Sequence, residues 1–155
     1  MATVLAPDPA GYMTDLVAWA DAQAALLRAG RYGAADMANI VEEIEGLAQQ
    51  RRSELRSRLS TIVQHWLKLE LSPASDPRAG WRRTIGYARV ELDLLIGDNP
   101  SLNREVDTTI MAAVHAGARL ATVDLDSFGE LNPERARAIA ARKFTRDELL
   151  EGELP

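Results

Sequence analysis

The run DMANIVEEIEGLAQQRRSELRSRLSTIVQHWLKLEL, from Asp36 to Leu71, carries Met37, Ile40, Ile44, Leu47, Leu55, Leu59, Ile62, Trp66 and Leu69 in one helical phase. Apolar residues recurring at intervals of three and four put one stripe on one face of an α-helix, so the spacing predicts a single long helix over 36–71. At ~1.5 Å per residue such a helix spans roughly 54 Å, more than the ~40 Å diameter of a compact domain of this chain length. It therefore either bends around Gly46–Ser53 or projects and pairs with another chain.

Segments on both sides repeat the pattern. Upstream, Leu16, Val17, Trp19, Ala20, Gln23, Ala24 and Leu27 form a stripe over 14–29, with Thr14 as the expected N-cap and Gly30 as the stop. Downstream, Pro73 and Pro77 break the long helix, and Trp81, Ile85, Ala88, Leu92, Leu95 and Ile96 make a third stripe that ends at Gly97. Asn99 followed by Pro100 is a start signal for a fourth helix through Leu120, and the tail predicts a helix at 133–143 and a short one capped by Thr145. No strand alternation occurs. Each stripe is buried only against the others, which predicts an all-α helical bundle of four main helices plus short C-terminal helices. The expectation is a single domain over 1–155, with 1–12 a mobile N-terminal segment and 122–155 a C-terminal extension.

Composition narrows the chemistry. The chain has 155 residues and no Cys, which excludes disulfides, thiolate nucleophiles and Cys-ligated metal. Its start lacks a basic n-region with a continuous apolar core, and no segment has the ~18 apolar residues of a membrane span. The expected address is the cytoplasm, with no membrane partner. Phosphate-loop, dinucleotide-turn and nucleophile-elbow patterns are all missing, so no catalytic residue and no cofactor are assigned.

Charge is distributed in blocks. Residues 1–50 hold two basic and seven acidic side chains, 51–89 nine and three, and 90–155 seven and thirteen. The middle segment is a basic island between acidic flanks. One reading is internal neutralisation; the other is an anion or partner surface made by Arg52, Arg56, Arg78, Trp81, Arg82, Arg83 and Arg89, open to nucleic acid or an acidic protein. Within the long helix, Arg51, Arg58 and His65 are spaced by seven and fall on or near the inward face, so they need partners, with Asp15, Glu91 and Glu105 as candidates. Together with Asp15, Glu43 and Glu45 they form a candidate polar cluster. Glu42, Glu43, Glu45 and His65 lack the Glu-x-x-His pairing of di-metal bundles and do not converge on one helix face, so no metal site is assigned.

Several motifs carry a resemblance. Tyr12-x-x-Asp15-x-x-x-Trp19-x-x-x-Gln23-x-x-Leu26-Leu27-Arg28 is followed by Asp36-x-x-Asn39-Ile40-x-Glu42-Glu43-Ile44-Glu45, His65-x-x-Lys68 and Trp81-Arg82-x-Thr84-Ile85. In this order, over about residues 12–120, the chain resembles the bacterial family known as domain of unknown function 29. The family's C-terminal Cys-Pro-Tyr-Thr turn and acidic end are matched only in outline, by Lys143-Phe144-Thr145 and Glu151–Pro155. The resemblance implies an all-helical fold and brings no activity or cofactor. The excess length of the 36–71 helix, rather than the resemblance, gives the expectation of a non-catalytic protein-interaction module that self-associates through that helix. The alternative is an accessory protein that binds nucleic acid or an anionic partner through 51–89.

Overall fold

The computed structural model describes residues 9–155, with side chains from Gly11 onward. Among the described residues seven α-helices follow one another: α1 (Pro9–Thr14), α2 (Leu16–Arg28), α3 (Met37–Leu71), α4 (Arg78–Asp98), α5 (Val106–Ser127), α6 (Pro133–Ala141) and α7 (Arg146–Glu151). Short 3-10 turns occupy Tyr32–Ala34 and Pro100–Arg104, and no strand occurs among the described residues. None of the helices is long and apolar enough to cross a membrane. The expectation of a mobile segment over 1–12 falls largely outside the described residues; from Pro9 the chain is helical.

The long helix runs unbroken through Gly46–Ser53, and contacts divide the chain inside it, between Gln50 and Arg51, into two compact units.

The unit from Arg51 onward holds a three-helix core. Arg58 meets Glu91 and Arg78 meets the Leu69 carbonyl, so α4 runs antiparallel to α3. Arg52 meets Glu105 and Lys68 meets Asp124, so α5 runs parallel to α3. Leu55, Leu59, Ile62 and Val63 of α3, Ile85 and Leu92 of α4, and Val106, Ala121 and Leu125 of α5 are buried together. Fully burying each large aliphatic side chain stabilises by about 1.5–3 kcal/mol. The closest approach is at Gly117, where a methyl group would lie 2.6 Å from the Ser60 carbonyl oxygen and 2.7 Å from Val63 Cβ.

Helix ends follow local chemistry. At the end of α5, Gly129 takes a left-handed φ of 68° and Glu130 N–H donates back to the Leu125 carbonyl at 2.8 Å, a Schellman closure. Asn99 and Pro100 open a 3-10 turn, and α5 itself begins at Val106, later than the Asn-Pro signal predicts. The Asn99 side chain does not cap that turn; its Nδ2 donates to the Leu95 carbonyl at 2.9 Å. The tail is tied down more firmly. Thr145 and Glu148 form a capping box for α7, Phe144 packs edge-on to Trp66, and Leu149 is fully buried.

The unit up to Gln50 is built differently. Asp15, one residue after the expected cap, accepts from Ala18 N–H at 2.9 Å and starts α2. Tyr12 Oη of α1 donates to Glu43 at 2.7 Å, and Trp19 Nε1 of α2 donates to Asp36 Oδ2 at 3.3 Å, so α1 and α2 together meet the start of α3. Among the described residues of this unit only Trp19, Gln23 and Leu26 are buried.

Candidate interaction surface

The structure closes the Arg51, Arg58 and His65 row within its own unit. Arg58 pairs with Glu91 at 3.0 Å, while Arg51 is 54% exposed and pairs with Glu54, one turn along α3, at 3.1 Å. Glu105 pairs with Arg52 instead, at 2.9 Å, and Asp15 is spent on the α2 cap. The inward placement expected for Arg51 is corrected, because the covering helices contact a neighbouring face of α3. A cavity of about 330 Å³ beside Arg51 and Arg58 is also lined by Glu54, Glu91 and Asp98, so its cations already face carboxylates. His65 Nδ1 lies 3.0 Å from the Thr61 carbonyl, which fixes the proton on Nδ1. Burial pushes the imidazole pKa below its usual value.

The candidate polar cluster is therefore not one site. Glu43 accepts from Tyr12, Glu45 is exposed, and no group of three His, Asp or Glu among the described residues stands close enough to hold a metal ion.

Most of the basic island is spent on the fold. Arg89 donates to the carbonyls of Leu149, Glu148 and Gly152 at 2.9, 2.8 and 2.8 Å, placing a cation on the open C-terminal end of α7. Arg78 serves the Leu69 carbonyl at the end of α3, and Arg82 reaches the Pro155 carbonyl. Trp81 is half-buried, with the Lys68 ammonium 4.9 Å from its ring centroid. Arg56 and Arg83 are exposed, and their guanidinium groups have no hydrogen-bond or ion-pair partner among the described residues.

Two arrangements lay outside the sequence reading. The first joins Lys68, Asp124 and Gln64. The Lys68 ammonium, 7% exposed for the whole residue, sits 2.7 Å from Asp124 Oδ2, which also accepts from Gln64 at 2.9 Å. Burial raises the Asp124 carboxyl, but these hydrogen bonds outweigh it and leave the group below its ordinary value. A Lys inside the apolar run Trp66-Leu67-Lys68-Leu69, in a chain with sixteen Arg and only one other Lys, was the available signal. The second is a polar knot made by Trp19, Gln23, Asp36 and Asn39. Gln23 Oε1 accepts the Asp36 N–H at 2.9 Å, and the Asn39 side chain donates to Asp36 at 2.7 Å. The Asn39 bond, aided by Trp19, holds the Asp36 carboxyl below the usual range. Residues scattered over Trp19 to Asn39 thus fasten α2 to the N-terminal end of α3.

That fastening leaves another face of α3 bare. The bonds from α2 fall on Asp36 and that from Tyr12 of α1 falls on Glu43, whereas Met37, Val41, Ile44 and Leu47 lie on the adjoining side at ~100° per residue. Val41, Ile44 and Leu47 are 48%, 60% and 65% exposed, and Leu16 and Val17 of α2 are exposed as well. The same helix from Leu55 onward buries its stripe completely. The sequence expectation that Ile44 and Leu47 face a core is corrected for this half, because α1 and α2 cover too narrow an arc.

With this geometry established, comparison identifies the family. The family described as Domain of unknown function DUF29 matches residues 12–147, and the chain belongs to it. Comparisons with curated proteins and with solved structures give no match.

Proposed function

Taking the chain as a DUF29 member, we propose that it works as a non-catalytic interaction module that self-associates through the bare face of its first unit. The observation that carries this reading is the change along α3: one continuous apolar stripe is exposed at Val41, Ile44 and Leu47 and buried from Leu55 to Leu69. Contiguous exposed apolar surface on a folded chain marks an interaction site or an aggregation liability. Here it is flanked by Glu43 and Glu45 on its two sides, which favours a specific surface. Met37, Val41, Ile44 and Leu47 are 47–65% exposed, so covering them returns roughly 3–7 kcal/mol, about half of the ~1.5–3 kcal/mol per side chain for full burial. That is comparable to the ~4–15 kcal/mol cost of associating two bodies, which gives measurable but not extreme affinity.

Sedimentation equilibrium tests the reading. Mass above the monomer should grow with concentration, and Val41→Asp with Ile44→Asp should return it to the monomer with helix content unchanged. A native chain that stays monomeric up to high concentration would defeat the proposal.

A further inference from the structure

Resting on the self-association proposed above, we infer that the bare face of α3 docks on the outer stripe of α4 in a second copy of this chain. The outer side of α4 carries Arg83, Tyr87, Val90 and Leu94 at helical spacing, with Tyr87 65%, Val90 59% and Leu94 63% exposed. Both stripes are about three turns long and each lacks a cover among the described residues.

Charge selects this pairing over the symmetric one. The first half of α3, residues 37–50, holds Glu42, Glu43 and Glu45 and no cation, so stacking two such faces sets carboxylates against carboxylates. The first half of α4, residues 78–89, holds Arg78, Arg82, Arg83 and Arg89 and no carboxylate. Arg83 has no side-chain partner among the described residues, so its positive charge at the head of the stripe is uncompensated.

Register follows from the same residues. Laid antiparallel, Met37 faces Leu94, Val41 faces Val90, Ile44 faces Tyr87, and Glu45 comes within a turn of Arg83. Laid parallel with Met37 at Arg83, Glu45 would meet Glu91, so the antiparallel arrangement is the favoured one. Tyr87 then supplies the aromatic anchor that interfaces of this kind concentrate their energy on.

The absence of Cys makes the test direct. Ile44→Cys and Tyr87→Cys, both at exposed positions, are prepared as separate proteins, mixed and oxidised. The mixed disulfide should dominate over either homodisulfide, since bridging needs Cβ atoms about 4 Å apart. A dominant Ile44→Cys homodisulfide would overturn this inference while leaving self-association intact. A monomeric native chain with no disulfide above a dilute control would overturn both. A second arm does not depend on cysteine chemistry. Glu45→Arg and Arg83→Glu should each weaken association about fivefold, as expected for a rim ion pair, and the double variant should recover it. Failure of that recovery also overturns the pairing.

Discussion

Gly117→Ala should destabilise the protein although it improves helix propensity. In an open helical position Gly→Ala gains about 0.8–1 kcal/mol. At Gly117 the added methyl would stand 2.6 Å from the Ser60 carbonyl oxygen and 2.7 Å from Val63 Cβ. Both atoms belong to the body of α3 rather than to the end of a flexible side chain, so relief requires α3 and α5 to part. Overpacking of this kind costs about 1–3 kcal/mol, more where backbone must move. The net expectation is a loss of about 1–2 kcal/mol, since the steric term exceeds the propensity term. Gly46 is the control: it lies in α3 with nothing within 4 Å of an added methyl, so Gly46→Ala should gain about 0.5–1 kcal/mol. Urea denaturation followed by helical circular dichroism, with both variants at one protein concentration, measures the pair. Gly117→Ala at or above native stability would refute the claimed contact between α3 and α5.

Other outcomes follow from the same structure. Leu59→Ala removes a fully buried side chain and should cost about 2–5 kcal/mol, whereas Ile44→Ala in dilute solution should stay within ~0.5 kcal/mol. His65 has a folded-state pKa below its ordinary 6.5, so the unfolded chain binds more protons below that pH. Stability should accordingly fall as pH drops from 6.5 toward the folded-state value, and urea midpoints across that range should show a shallower slope for His65→Gln. Arg89→Met strips three carbonyls of their cation and should cost about 2–3 kcal/mol, with limited proteolysis cutting first within 146–155.

How much of this was legible in the sequence depends on what each residue answers to. Helix positions obey spacing of three and four, so the four main helices were readable, as were the capping Thr145 and the stop at Gly30. Periodicity says that a stripe exists but not that something covers it, which is why Ile44 and Leu47 read like Leu55 and Leu59 and behave differently. The arginines were readable as a charge block only. Whether a guanidinium meets a carboxylate, as Arg58 does, or three carbonyls, as Arg89 does, depends on which helix end arrives beside it. The Lys68–Asp124 pair spans 56 positions and exists because α5 runs parallel to α3, a topological fact that no local pattern encodes.

The most direct measurement is hydrogen exchange of the α3 amides from residue 38 to residue 48 as a function of protein concentration. If a second copy covers Val41, Ile44 and Leu47, exchange there should slow as concentration rises, while the amides around Leu59 and Ile62 stay equally protected throughout. Rates over 38–48 that do not change with concentration would contradict the account.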